Sequence, residues 1–215
     1  MNGLAESSVI ATSKAQVDML YSQLGADVPL IVEPERRDTF PAIALAAAYL
    51  YSIAGVSLDE FVAVLPVDPY VADDFFYVVS RLEDVLATSQ ADLALIGVKP
   101  TFPSEKYGYI VPEGKDDVAL PYMKVSHFRE KPTIDQAREL LNRDALWNCG
   151  VFTFRLDRVI SMLKERGYPV QYDILQQQYS QLPKISFDYE IVEKTANIVV
   201  VPYDGYWKDL GTWNT

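Results

Sequence analysis

Phe61-Val62-Ala63-Val64-Leu65-Pro66-Val67-Asp68-Pro69 is the stretch on which the reading of this chain turns: an apolar run of strand character stops at a proline, and the next polar group is a carboxylate. Strands buried on both faces read as continuous apolar runs, and in open α/β sheets ligands gather beyond the carboxyl ends of such strands. An acid placed there can hold a metal ion or a ligand hydroxyl, so Asp68 is the first candidate for chemistry. Pro66, Asp68 and Pro69 are equally ordinary turn formers, the Asp bonding its own backbone. Taken alone, the stretch is more simply a turn after a buried strand.

On both sides of it, helix and strand patterns alternate. Upstream, Ser8 to Ala11 reads as a strand, Ser13 caps a helix to about Leu24, and Pro29 to Val32 reads as a strand. Thr39 to Ile53 is expected to be a buried helix, apolar on most sides, with Pro41 in its first turn. Downstream, Asp73 to Ala87 places Phe76, Val79, Leu82 and Leu86 on one helical stripe. Strands are expected at Leu93 to Gly97, Tyr122 to Phe128, Val151 to Phe154 and Ile198 to Val201. Helices are expected at Ile134 to Leu141 and at Asp157 to Arg166, the latter stopping at Gly167. Such alternation predicts βαβ units and a mostly parallel sheet in a single domain spanning 1–215. The less regular Lys99 to Lys115 is expected to form a lid or platform over the sheet edge.

A chain of 215 residues, 49% of them hydrophobic, can bury a sizeable core. Its formal net charge of −11 argues against tracking nucleic-acid phosphates, which requires clustered Lys and Arg. A small phosphorylated ligand remains allowed if basic groups or a divalent cation neutralise it. One histidine, His127, gives zinc sites and Ser-His-Asp triads little to work with. One cysteine, Cys149, excludes an internal disulfide and fits a reducing compartment. Apolar runs such as Ala42 to Ala48 are short for a membrane span, and no signal-like segment opens the sequence, so a cytoplasmic location and no membrane partner are expected. No Gly-rich loop joins a first strand to a first helix, so the usual backbone cradle for a triphosphate is not encoded in these residues.

Five segments place polar groups among Gly, Pro and aromatics where strands or helices end. In Glu33-Pro34-Glu35-Arg36-Arg37-Asp38-Thr39-Phe40-Pro41-Ala42, the arginines beside a helix start can hold an anion or a base edge, or serve a salt-bridged loop with Asp38 or Thr39 as cap. In Gly97 to Ile110, Tyr107-Gly108-Tyr109 lets backbone approach a flat ligand, or makes a β-bulge. Phe128-Arg129-Glu130-Lys131-Pro132 offers an acceptor for sugar hydroxyls and a cation for a phosphate, although Glu-Lys-Pro is also a common helix entry. In Trp147-Asn148-Cys149-Gly150, Asn148 suits a hydroxyl-rich substrate and Gly150 permits close contact. In Tyr206-Trp207-Lys208-Asp209-Leu210-Gly211-Thr212-Trp213, Asp209 again follows a strand. If the strands 61–65 and 198–201 are near neighbours, Asp68 and Asp209 converge on one Mg²⁺.

In this order the segments resemble the sugar nucleotidyltransferases, and within them the mannose-1-phosphate guanylyltransferases. Glu33-Pro34…Arg37-Asp38-Thr39-Phe40-Pro41-Ala42-Ile43 is similar to the family's Glu-Pro-x-x-Arg-Asn-Thr-Ala-Pro-Ala-Ile motif. Leu65-Pro66-Val67-Asp68 is similar to its Leu-Pro-Ser-Asp metal motif, and Ser186-Phe187-Asp188-Tyr189-Glu190 to a sugar-site segment. Asp38, Phe40 and Pro69 stand where Asn, Ala and His are usual. The family's opening strand and its Gly-x-Gly-x-Arg loop do not occur in these residues.

The resemblance implies a Rossmann-like three-layer α/β/α fold with a mostly parallel mixed sheet, N-terminally truncated. Residues 1–95 would form a nucleotide and metal half and 96–215 a sugar-phosphate half. It implies Mg²⁺-dependent transfer of GMP from GTP to mannose 1-phosphate, giving GDP-mannose and pyrophosphate, and admits a homo-oligomer. Asp68 and Asp209 would hold Mg²⁺, and Lys131 the sugar phosphate. Gly108, Glu130, Asn148, Gly150 and Asp188 would face mannose, and Glu33, Arg37, Thr39 and Pro41 the nucleotide. The alternatives are a non-catalytic sugar-phosphate-binding fragment or subunit, and a nucleotidyltransferase for another hexose 1-phosphate.

Overall fold

The computed structural model describes residues 8–114 and 120–211. In chain order it contains β1 (Ile10–Ser13), α1 (Val17–Leu24), β2 (Leu30–Glu33), α2 (Thr39–Ser52), β3 (Phe61–Val64), β4 (Pro69–Val71), α3 (Asp74–Ser80), α4 (Leu82–Ser89), β5 (Leu93–Val98), β6 (Tyr109–Pro112) and β7 (Met123–Arg129). It continues with α5 (Ile134–Leu141), β8 (Leu146–Arg155), α6 (Leu156–Glu165), α7 (Tyr172–Gln177), α8 (Phe187–Glu190), β9 (Ile198–Tyr203) and β10 (Trp207–Asp209). No helix among the described residues is long and apolar enough to cross a membrane. Lys115, Thr212 and Trp213, which belong to segments singled out in the sequence, lie outside the described residues.

The elements group into two compact units, Met1–Glu60 with Arg155–Glu190, and Phe61–Phe154 with Ile191–Thr215. These boundaries differ from the expected halves 1–95 and 96–215, because α6 to α8 return to pack with the first sixty residues. In the first unit β1 and β2 pair in parallel, with Ile10 opposite Leu30 and Ser13 opposite Glu33. The centre is α2, which buries Phe40, Ile43, Ala44, Leu45, Ala47 and Ala48 and packs against α6, α7 and α8. Alanine favours the helix and lets its neighbours approach closely. Asp38 caps it, its carboxylate accepting the Thr39 N–H at 2.8 Å, and Pro41 occupies the first turn where a missing N–H costs nothing.

In the second unit a six-stranded sheet runs β3-β8-β5-β9-β7-β6. All six residues of β5 are buried, as a central strand covered on both faces requires. The expected mixed sheet is present, with β5 and β9 parallel within it, while β1 and β2 form a separate parallel pair in the first unit. It is less parallel than the alternation suggested, since β8 runs antiparallel to β5, and β7 antiparallel to both β9 and β6. The described part of the segment Lys99 to Lys115, expected to be a lid outside the sheet, instead contributes β6, whose Tyr109 and Ile110 also pair with Trp147 and Leu146 of β8. Strands β8, β5, β9, β7 and β6 are thus joined pair by pair into a closed circuit.

The helix expected at Asp73 to Ala87 is two helices, interrupted at Arg81, whose N–H bonds back to Val78. Phe75 is buried and Phe76 is exposed, the reverse of the expected stripe, because the break shifts the phase of the first helix relative to the second. Strand β8 is longer than expected, starting at Leu146, and carries Gly150 at φ +77 in its middle.

Cys149 is buried in β8, its Sγ donating to the Ile96 carbonyl at 3.4 Å, and burial pushes the thiol up from 9.0 to about 12. A raised folded pKa means that this contribution to stability is complete below pH 9 and is lost as pH rises towards 12. Denaturant titrations at stepped pH should show stability falling across that window. The fall should be shallower in Cys149→Ala, and equal slopes in the two proteins would refute the assignment.

Candidate active site

Asp68 and Asp209 converge in the second unit, by a route other than the expected one. Strands β3 and β9 are not neighbours, since β8 and β5 lie between them. The acids meet through the small antiparallel pair β4/β10, in which Asp209 faces Pro69, and the Leu210 N–H bonds the Asp68 carbonyl at 3.1 Å. Asp209 Oδ1 accepts the Gly211 N–H at 2.7 Å. A Cβ on Gly211 would stand 2.8 Å from Asp68 Oδ2 and 3.0 Å from Asp209 Oδ1, so both oxygens face one small space that glycine leaves open. No group of three or more potential metal-ligating side chains occurs among the described residues. Among the described residues the donor set is two hard carboxylates, which suits a Mg²⁺ that keeps waters and substrate phosphates as further ligands.

The sugar-side candidates of the second unit also come together. A Cβ on Gly108 would run into Glu130 Oε2, and would stand 2.7 Å from Phe128 Cζ and 3.4 Å from Asn148 Cβ. The Asn148 N–H donates to the Gly108 carbonyl at 2.8 Å, and Asn148 Oδ1 accepts the Gly150 N–H at 3.0 Å. Gly150 in turn places its would-be Cβ 3.5 Å from Pro66 Cγ, next to the Asp68 segment. Lys131 holds a left-handed backbone at φ +43, with its ammonium 3.3 Å from the buried Glu130 carboxylate and its side chain exposed. Such a lysine presents a cation at the surface while the acid beneath it fixes its direction.

Between these two groups lie aromatic side chains quoted in the sequence motifs but given no role there. Tyr107 contacts Trp147 and Trp207 at centroid distances of 4.8 and 5.5 Å. Phe102 adds an edge contact to Trp147 at 4.9 Å. The Tyr107 hydroxyl is pushed up, first by burial and then by the charge of Asp209. The indole N–H groups of Trp147 and Trp207 are buried and make no hydrogen bond among the described residues. The signal available in the sequence was position: Tyr107, Trp147 and Trp207 stand one or two residues before a selected group, Gly108, Asn148 or Asp209.

The remaining candidates belong to the first unit. Glu33 Oε2 accepts the Tyr179 hydroxyl at 2.7 Å, and Arg37 donates to the Leu182 carbonyl and to Glu35, both at 3.0 Å. Thr39 Oγ1 accepts the Phe187 N–H at 2.8 Å, and Pro41 is buried in the first turn of α2. Burial and then the Glu33 hydrogen bond push the Tyr179 hydroxyl upward. These residues tie the stretch 179–187 to the start of α2, immediately before the half-buried Asp188 of α8. Replacing Thr39 by Val removes the acceptor for Phe187 and should lower stability by about 1–2 kcal/mol. An unchanged melting temperature would show that this bond is dispensable.

A family model for nucleotidyl transferases matches residues 3–215. The chain belongs to that family, and its Rossmann-like α/β fold with a mixed sheet is the family's. Within the family it is 34% identical over 202 residues to a mannose-1-phosphate guanylyltransferase of Sinorhizobium fredii, which is 86% of this chain and 39% of that protein. It is 30% identical over 211 residues to a mannose-1-phosphate guanylyltransferase of Escherichia coli, covering 86% and 43%. A crystal structure from Thermus thermophilus, described as a mannose-1-phosphate geranyltransferase, superposes with a TM-score of 0.77 at 30% identity, covering 95% of this chain and 61% of that one. The chain spans about two fifths of the length of these curated relatives.

Proposed function

We propose that this chain carries out, in the cytoplasm, the guanylyl transfer of a mannose-1-phosphate guanylyltransferase: GTP and mannose 1-phosphate become GDP-mannose and pyrophosphate, with Mg²⁺ required. The observation that carries the reading is the convergence of Asp68 and Asp209 on the space left by Gly211, in the same unit as Gly108, Glu130, Lys131 and Asn148. A phosphate oxygen of mannose 1-phosphate attacks the α-phosphorus of GTP, and the bond from that phosphorus to the oxygen bridging to the β-phosphorus breaks, releasing pyrophosphate. Bound Mg²⁺ supplies charge neutralisation on the phosphates, and Asp68 and Asp209 are the side chains that hold it. Lys131 binds the sugar phosphate, and Glu130 and Asn148 orient the mannose hydroxyls, with Gly108 and Gly150 giving close approach. Asp188 serves as a further hydroxyl acceptor, while Glu33, Arg37, Thr39 and Pro41 serve the nucleotide. Positioning and charge neutralisation do most of the catalysis.

The test is pyrophosphate release from labelled GTP, with mannose 1-phosphate compared against glucose 1-phosphate and with Mg²⁺ present or chelated. Release only with Mg²⁺ and preferentially with mannose 1-phosphate supports the proposal, while preference for glucose 1-phosphate reassigns the sugar. A second reading, sugar-phosphate binding without catalysis, is favoured by the engagement of Glu33, Arg37 and Thr39 with residues 179–187. Binding of mannose 1-phosphate with no turnover would select it.

A further inference from the structure

We propose that Glu193 is a positioning residue for the sugar-phosphate contact, an inference that rests on the function just proposed. Residues 130–134 carry two of the side chains assigned to mannose 1-phosphate, Glu130 and Lys131, and make an awkward turn. Lys131 is left-handed at φ +43, a conformation that disfavours any residue with a Cβ, and Pro132 contributes no N–H. Such a turn persists only where neighbouring groups over-determine it. Three side chains do so. Glu193 Oε1 accepts the Glu130 N–H at 2.9 Å, Gln136 Oε1 accepts the Thr133 N–H at 3.1 Å, and Glu105 Oε1 accepts the Ile134 N–H at 3.0 Å.

Gln136 belongs to the capping box of α5 and fixes the helix start rather than the residues before it. Glu105 acts at the far end of the turn. Glu193 therefore holds Glu130 just past the last β6–β7 pair, Tyr109 with Arg129, at the residue whose carboxylate lies against Gly108 and Lys131. It stands on the 3-10 turn Val192–Lys194, which leads into β9. That turn lies alongside β7, which also pairs with β9 at Met123–Val200 and Lys124–Val199. An open groove of about 270 Å³, lined by His127, Phe128, Glu193, Lys194 and Thr195 among others, runs along them. The carboxylate reaches across and sets where the Glu130 backbone stands. An ionised acceptor on a backbone N–H makes a stronger bond than a neutral one, and its direction fixes the peptide plane. If the peptide swings, the buried Glu130 carboxylate and the Lys131 ammonium swing with it. Glu193 acts through those residues and need not touch the substrate.

The experiment compares wild type with Glu193→Ala and Glu193→Gln, since Gln keeps a carbonyl acceptor of the same length. In Glu193→Ala the KM for mannose 1-phosphate should rise about fivefold to tenfold, the size expected for one lost hydrogen bond, with the KM for GTP unchanged. Glu193→Gln should recover most of the loss. Amide hydrogen exchange at Glu130 should accelerate in Glu193→Ala and stay near wild type in Glu193→Gln, a readout independent of turnover. An unshifted mannose 1-phosphate KM, or unaltered exchange at Glu130, overturns the positioning role while leaving the proposed function intact. A wild-type chain that neither turns over nor binds mannose 1-phosphate overturns both. Equal rises in both KM values would mark a general loss of structure and also overturn it.

Discussion

Asp209→Asn should reduce pyrophosphate release by roughly a thousandfold while leaving the melting temperature within about two degrees of wild type. The substitution is isosteric, and its Oδ1 still accepts the Gly211 N–H that Asp209 receives at 2.7 Å, so the local turn survives. What is lost is one of two negative charges facing the space left by Gly211. A cation held by two carboxylates and substrate phosphates loses much of its affinity when one charge goes. A thousandfold corresponds to about 4 kcal/mol of transition-state stabilisation, within the range expected of metal neutralisation at a transferring phosphoryl group. Asp68→Asn should behave alike, and the double variant should lose little more than either single one, because the two acids act as a unit. Raising Mg²⁺ should recover part of the activity. Turnover of Asp209→Asn within tenfold of wild type would remove Asp209 from the metal site.

Gly108→Ala is expected to have the second-largest effect, and for a steric reason. The added methyl has no free volume: it meets Glu130 Oε2 and lies 2.7 Å from Phe128 Cζ, well inside contact distance. Phe128 is a buried residue of β7 and cannot swing away without moving the strand. Overpacking of this kind costs about 1–3 kcal/mol, so thermal stability should fall measurably. The softer side of the collision is the Glu130 carboxylate, whose displacement should raise the KM for mannose 1-phosphate by at least about tenfold. The KM for GTP should move much less. Gly150 has room for a methyl 3.5 Å from Pro66 Cγ, so there only its left-handed backbone resists substitution. A Gly108→Ala protein with wild-type stability and KM would show that the mannose does not depend on this contact.

The helices with the strongest apolar or capping signals were legible from the sequence. Ile134–Leu141 was bounded correctly because its capping box and its apolar face lie close together in the chain. Thr39–Ser52 was found within one residue, since Pro41 and a run of apolar side chains leave few alternatives. The shorter elements escaped for the opposite reason. Strands β4 and β10 are three residues each, and neither has a pattern until the other lies beside it. The break at Arg81 was hidden because Phe75 and Phe76 are equally apolar, and only packing against the second unit's sheet selects one of them.

Asp68 beyond an apolar strand and Glu130 beside Lys131 were visible as residue types past element ends, where ligands find donors and acceptors, and Asn148 before Gly150 was visible by type although it lies inside β8. Which of them meet was beyond local pattern, because meeting depends on pairing between residues far apart in the chain. Asp68 and Asp209 converge through β4 and β10, although β3 and β9 are separated in the sheet. Glu193 reaches Glu130 across sixty-three positions. Local chain chemistry specified the acids, amides and glycines and the strands that end at them. That two of those acids share the space of a missing Cβ at Gly211 is a property of the folded chain, since long-range strand pairing is what brings their carboxylates to one point.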